Sequence, residues 1–248
     1  MELRRAAKGW RAAGIVIIAA ILVAIPALAT KQTAKHTPPV TKTAAVPDEY
    51  IVKAIGSKSA PVTMEVFSDY QCPSCGSLYE QTLKPLIADY VASGKVYLVH
   101  RDFPLPLHKY GYEAARWVNA AALVGKYPEV EAALYDNQAA WSVDGNIQKY
   151  VAAAMSPVDF KRVDKMMEVC PPPAAGVSPA SYSQTGKPAA HGCPFDASIE
   201  KDKALGNTVP VSATPTFRFY YKGKTYGPMS GVVSWPIMKQ FLDQVISQ

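Results

Sequence analysis

Residues 67–75 read Phe67-Ser68-Asp69-Tyr70-Gln71-Cys72-Pro73-Ser74-Cys75. Upstream, Ala60 to Ser68 is rich in apolar and β-branched residues and predicts a strand. Downstream, Leu78, Tyr79, Thr82, Leu83, Leu86, Ile87, Tyr90 and Val91 recur at helical spacing as far as Gly94,. Pro85 falls inside that pattern and is expected to kink the helix. The cysteine pair therefore sits where a strand gives way to a helix. The first cysteine would meet the free N–H groups and positive dipole end of that helix, which favour a thiolate. A lowered thiol pKa makes a better leaving group and a more oxidising disulfide. The roles follow: Cys72 is the exposed nucleophile, and Cys75, one turn further in, is the buried resolving thiol.

Two other uses of a Cys-x-x-Cys stand beside this one. It can be half of a zinc site, but no second Cys-x-x-Cys and no His-x-x-x-His occurs in the chain. It can be a structural disulfide, although a bridge spanning two residues constrains little chain.

Working outward, Lys95 to Phe103 predicts a second strand. Helices are expected over Tyr110 to Leu123, Pro128 to Ala140 and about Asn146 to Met155. A fourth opens at Ser156-Pro157-Val158-Asp159, with Ser as N-cap and Pro at the first helical position; Val163, Met166 and Met167 would face inward. Pro194 to Gly206 reads as a short helix and Thr214 to Tyr221 as a strand. Lys222-Gly223 reads as a tight hairpin turn and Lys224 to Ser230 as its partner strand. Ser234 to Ile246 is a closing amphipathic helix capped by Ser234. The order implies an α/β fold, a small mixed sheet with a helical insertion at about residues 105–193.

Cys170 and Cys193 bracket 22 residues that hold five Pro and three Gly, a loop rather than a helix. With four cysteines in the chain, an even number in an exported protein, these two are expected to form a structural disulfide. Closing a loop of this size contributes about 3 kcal/mol. The alternatives are a second redox pair that shuttles electrons to Cys72–Cys75, or two free thiols. His100, His108 and His191 are scattered and read as surface or satisfied residues rather than ligands. Trp117, Tyr110 and Tyr112 suit helix core and groove edges.

The amino terminus explains half of the charge. Arg4, Arg5, Lys8 and Arg11 against Glu2 give +3 of the chain's +6. No dense basic patch remains, so a nucleic-acid partner is not expected. An uncharged apolar run follows and ends Ala27-Leu28-Ala29, a small-residue cleavage pattern. Residues 1–29 therefore read as an export signal or as an uncleaved anchor. Ala12 to Ala29 would span about 27 Å as a helix, slightly under the ~30 Å of bilayer hydrocarbon. Residues 30–47 read as a solvated linker and 48–248 as the folded domain. Either reading places the domain outside the cytoplasm, in a periplasm or on the outer face of the cytoplasmic membrane. A hydrophobic fraction of 49% over 248 residues supports a real core and excludes a wholly disordered chain.

Over residues 48 to 248 the sequence resembles the DsbA-like extracytoplasmic branch of the thioredoxin-fold family. Four features carry the likeness: the 67–75 stretch after a strand, the helical insertion, Thr214-Pro215-Thr216-Phe217, and the final hairpin plus helix. The resemblance implies a thiol–disulfide oxidoreductase that oxidises folding proteins and needs no bound cofactor. It implies a cis peptide at Pro215, which otherwise would be a proline at the start of an edge strand. Thr214 would offer its backbone to a substrate strand. The family's proton-relaying carboxylate falls on Glu65, whose other reading is a solvated strand residue. Asp69 and Tyr70 flank the site or are turn residues. Pro73-Ser74 departs from the Pro-His of the strongest oxidases and the Gly-Pro of cytoplasmic thioredoxins, so a milder oxidant is expected. Implied partners are reduced exported proteins and a membrane quinone-linked reoxidant of the DsbB or vitamin K epoxide reductase type, acting on a monomer. A reductase or isomerase on the same fold, or a binding protein with a vestigial site, are the alternatives.

Overall fold

The computed structural model describes residues 53–170 and 193–248. The expected signal or anchor, the linker and His191 lie outside the described residues. Among those described, no helix is long and apolar enough to cross a membrane.

A five-stranded mixed sheet has the order β1-β3-β2-β4-β5. β2 (Val62–Ser68) is central. It pairs in parallel with β3 (Val96–Asp102) and antiparallel with β4 (Thr216–Tyr221). β4 turns into β5 (Lys224–Ser230). Lys222 and Gly223 both have positive φ, 48° and 73°, as the expected two-residue turn requires. The edge strand β1 (Ala54–Ile55) pairs antiparallel with β3. Its two residues are too few to show a period, and the sequence reading missed it.

Helix α1 begins at Pro73–Leu78. It runs on through a π-helical stretch Tyr79–Leu83, a single α turn Lys84–Leu86 and a second π stretch Ile87–Val91. Pro85 lies between the two wide-turn stretches. It has no N–H to give to a helical ladder, and the sequence meets that loss with a local change of helix type.

The insertion contains α2 (Gly111–Leu123), α3 (Tyr127–Asp136), α4 (Gln138–Asp144), α5 (Ile147–Ala153) and α6 (Pro157–Met167). The expected single helix from Pro128 to Ala140 is in fact two. Asn137 breaks it: its side chain donates to the Ala133 carbonyl at 2.8 Å, and the Trp141 indole donates to the Leu134 carbonyl at 2.7 Å. Side chains thus satisfy carbonyls that a continuing helix would have used. Ser156 caps α6 as expected, accepting from the Asp159 N–H. Val163 and Met167 are buried and Met166 packs against the core.

Helix α7 (Asp196–Thr208) has 13 residues, the length expected, and is displaced by two positions from Pro194–Gly206. Helix α8 (Trp235–Ile246) closes the chain. Ser234 takes the N-cap position as expected, with extended backbone, and makes no side-chain cap bond. The fold is a mixed sheet with helices and an inserted helical region.

Alternation along β2 separates two faces. Val62, Met64 and Val66 join the main core with Phe217, Phe219, Leu86 and Leu242. Phe219 and Tyr226 meet Phe241 of α8 at 4.9 and 5.9 Å. On the other face Phe67 packs with Val209, Val211, Phe103 and Leu205.

The interior also carries buried charge. Lys53 reaches Asp102 at 2.5 Å and Asp202 at 3.0 Å. Arg101 reaches Glu65 at 2.7 Å and Asp202 at 3.2 Å. Arg116 grips Asp196 through two bonds of 2.7 and 2.8 Å. Asp202 and Asp196 pin α7 to the sheet and to α2. Each charge is matched, which is the condition for tolerating it inside.

Candidate active site

The last residue of β2 delivers the chain to the redox turn. Cys72 is the N-cap of α1, with extended backbone, and its carbonyl accepts from the Cys75 and Gly76 N–H groups at 3.0 and 3.1 Å. Pro73 suits the first helical position because its missing N–H would have had no partner. Both cysteines are free thiols. Pro73 and Ser74 are exposed.

Cys72 is not the exposed residue expected. It is 6% exposed, against 2% for Cys75. The reason is a distant loop: the Cys72 thiol donates to the Thr214 carbonyl at 3.4 Å, so this segment covers the sulfur. The Thr214–Pro215 peptide is cis, as is Gly227–Pro228. Pro215 precedes β4, which lies inside the sheet rather than at an edge.

The two thiols are poised differently. A hydrogen bond from Cys75 lowers the Cys72 pKa to about 5, against the opposing effect of burial. The Thr214 side chain and the main-chain N–H groups of Cys75 and Ser74 add to that lowering. Burial pushes the Cys75 thiol well above its ordinary value, and its bond to Cys72 adds to this. One sulfur is thereby ready to attack or leave, and the other holds a proton.

Asp69 connects the pair. Its carbonyl accepts from the Cys72 N–H at 3.0 Å, and its N–H points at the Cys75 sulfur at 3.5 Å. Its carboxylate is buried and accepts from the Gln71 and Leu105 N–H groups, each at 2.8 Å, and from His108 Nδ1 at 2.6 Å. Tyr70 is 1% exposed and stacks on His100 at 4.7 Å.

Glu65 is fully buried, so the solvated alternative is wrong. Its oxygens accept from Arg101 at 2.7 Å, Arg218 at 2.7 Å and Tyr220 at 3.2 Å. The polar contacts of Cys75 are with Cys72, Asp69 and Ser68.

The insertion supplies residues that the sequence reading passed over. Gln138 of α4 donates to the Tyr70 and Cys72 carbonyls at 2.6 and 2.9 Å. It fits because position 76 is Gly: a Cβ there would lie 2.6 Å from the Gln138 amide oxygen. Gln71 accepts from the Tyr110 N–H at 2.5 Å and donates to the Ser142 carbonyl at 3.3 Å. His108, expected to be an ordinary polar residue, stands at the centre beside Asp69. The other expected bystanders fit their reading: Trp117 is buried and stacks on Phe160. Tyr112 lies in the core beside Glu200. His100 is buried between Glu131 and Asp102. Cys170 and Cys193 are joined as a disulfide.

The sequence model of a family described as thioredoxin matches residues 51–231. The chain belongs to the thioredoxin family. Its fold within that family is DsbA-like. It resembles alpha-DsbA1 of Wolbachia pipientis at TM-score 0.55 and 17% identity, over 79% of this chain and 90% of that one. It resembles a thioredoxin-like oxidoreductase from Silicibacter pomeroyi at 0.55 and 19%, over 82% and 99%. It resembles oxidised BdbD from Bacillus subtilis at 0.54 and 16%, over 79% and 92%. One curated relative, Na(+)/H(+) antiporter NhaA 3 of Salinispora tropica, is 36% identical over 84 residues. That match spans 34% of this chain and only 12% of the relative's length.

Proposed function

We propose that this thioredoxin-family chain is an extracytoplasmic thiol–disulfide oxidoreductase that works as an oxidase of folding proteins. One observation carries the direction. The Cys72 sulfur receives hydrogen bonds from Cys75 and main-chain N–H groups that bring its pKa to about 5. Stabilising this thiolate stabilises the reduced enzyme, which makes the disulfide a stronger oxidant.

A substrate thiolate attacks the Cys72 sulfur of the Cys72–Cys75 disulfide. A new S–S bond forms to Cys72 and the Cys75 sulfur leaves, taking a proton. A second substrate thiolate then attacks the substrate sulfur of the mixed disulfide. Cys72 leaves as a thiolate, the substrate has lost two electrons, and the enzyme has gained them. The Thr214 carbonyl, freed from Cys72, accepts from an extended substrate strand. Leu107 and Val143, 76% and 80% exposed, belong to the segments that touch Asp69 and Gln71 and give unfolded substrates an apolar margin. The family resemblance supports export by residues 1–29, a monomer, and reoxidation by a quinone-linked membrane partner of the DsbB or vitamin K epoxide reductase type.

The oxidised protein should refold a reduced substrate stoichiometrically. Rescue of scrambled disulfides instead would mark an isomerase, and neither activity would mark a binding protein. A reduction potential near the thioredoxin value of about −270 mV would overturn the oxidase reading.

A further inference from the structure

The dipeptide between the cysteines, Pro73-Ser74, carries no charge. Three residues before Cys72 stands the Asp69 carboxylate. Asp69 bonds both cysteines through its main chain, so its side chain cannot drift far from them. That side chain is fully buried, and an unneutralised carboxylate there would oppose a thiolate at Cys72. Two of its three donors, the Gln71 and Leu105 amides, are neutral. The third is His108, whose Nδ1 lies 2.6 Å from Asp69 Oδ2 and whose side chain is 13% exposed.

The loop after β3 is built to hold that imidazole. Phe103 N–H bonds the Ser68 carbonyl at 2.8 Å and Leu105 N–H bonds Asp69. His108 N–H then bonds the Leu105 carbonyl at 3.0 Å, and Gly111 N–H bonds the His108 carbonyl at 3.3 Å. Gly111 is required, because a Cβ there would collide with Asp69 Oδ1. The neighbouring cation, Lys109, lies over the Tyr110 ring at 4.7 Å. The groups that act on His108 are therefore Asp69 and, more weakly, Cys72.

We propose that His108 is a positioning residue of the redox centre: as an imidazolium paired with Asp69 it cancels the buried carboxylate, favours the Cys72 thiolate and makes the Cys72–Cys75 disulfide more oxidising. A histidine from a loop 36 positions beyond Cys72 thus supplies the charge that the intervening dipeptide lacks. The imidazole is pushed the same way: its hydrogen bond to Asp69 raises the His108 pKa, and the Cys72 charge raises it further. The inference rests on the dithiol chemistry proposed above.

The test uses the full chain. Thiolate absorbance against pH gives the Cys72 midpoint, and equilibration with glutathione gives the redox constant. In His108→Gln the midpoint should rise by about one unit and the glutathione equilibrium should move about tenfold toward oxidised protein, equivalent to about 30 mV. His108→Lys should keep both within about threefold. Adding Asp69→Asn to His108→Gln should restore part of the loss, which a merely structural histidine would not do. An unmoved midpoint in a folded His108→Gln protein would overturn the proposal. Should that variant not fold, the wild type still decides. Reciprocity requires His108, followed by NMR, to titrate higher in the reduced than in the oxidised protein, and equal values would overturn it. Failure of the dithiol reading would look different, since the wild type would then exchange no disulfides at all.

Discussion

The Cys72 thiol donates to the Thr214 carbonyl, joining residues 142 positions apart. That contact holds the protonated thiol; the Cys72 pKa is lowered by other bonds, of which the one from Cys75 contributes most. Alkylation of the reduced protein by iodoacetamide should therefore become half-maximal near pH 5 at Cys72. Cys75, held protonated by burial, should stay unmodified at pH 7. In Cys75→Ala the largest stabilising bond is gone, so the Cys72 midpoint should rise toward 9. A midpoint that stays near 5 in that variant would show that the helix amides alone hold the thiolate.

The same lowering has a consequence for stability. A thiol with a folded pKa of about 5 and a reference value of 9.0 stabilises the folded reduced protein above the folded pKa. The benefit is complete above 9 and is lost as pH falls through 5. At pH 7 it is on the order of 2 kcal/mol. The reduced protein should accordingly resist urea better than the oxidised one at pH 7, and the gap should close near pH 4. An oxidised form that is more stable at pH 7 would contradict an oxidase.

The redox turn was legible because its signals are local: a strand, two cysteines three apart and a helical period. The Lys222-Gly223 turn was legible for the same reason, since turn geometry depends on two residues. What escaped detection was contact across the chain. Nothing near Cys72 announces that Thr214 covers it, so burial replaced the expected exposure. His108 reads as an ordinary loop histidine until the β3 loop folds against Asp69. Gln138 looks like mid-helix filler until Asn137 breaks the helix and turns it toward the Tyr70 and Cys72 carbonyls. Glu65 could be placed on a face by alternation, but its burial depends on Arg101 and Arg218 arriving from two other strands.

Glu65 offers a test of role. Both oxygens are taken by cations from neighbouring strands, and Glu65 and Arg101 are fully buried. Glu65→Gln leaves the buried Arg101 with Asp202 as its carboxylate partner and takes from Arg218 the carboxylate it bonds, which costs up to about 3–5 kcal/mol. The variant should melt markedly lower while the Cys72 alkylation midpoint stays in place. A proton relay predicts the reverse pattern: near-normal stability with an altered pH dependence of mixed-disulfide resolution.

The buried pairs also set how stability depends on pH, best read in the oxidised protein, where the redox cysteines do not titrate. Burial alone would lower the His100 pKa, but the Asp102 and Glu131 carboxylates raise it above 6.5. Its contribution is therefore complete below 6.5 and is lost as pH rises through the folded value. His108, raised by Asp69, acts with the same sign. Asp102 is the opposite case: against burial, Lys53 and His100 hold it at about 2, below its usual 3.8. Its contribution is present above 3.8 and is lost as pH falls through 2. Urea midpoints should form a plateau between about pH 4 and 6.5, falling on both sides by up to about 1.4 kcal/mol per pH unit for each titrating group. In His100→Asn the alkaline fall should shrink without vanishing, because His108 remains. An unchanged alkaline limb would remove His100 from the account.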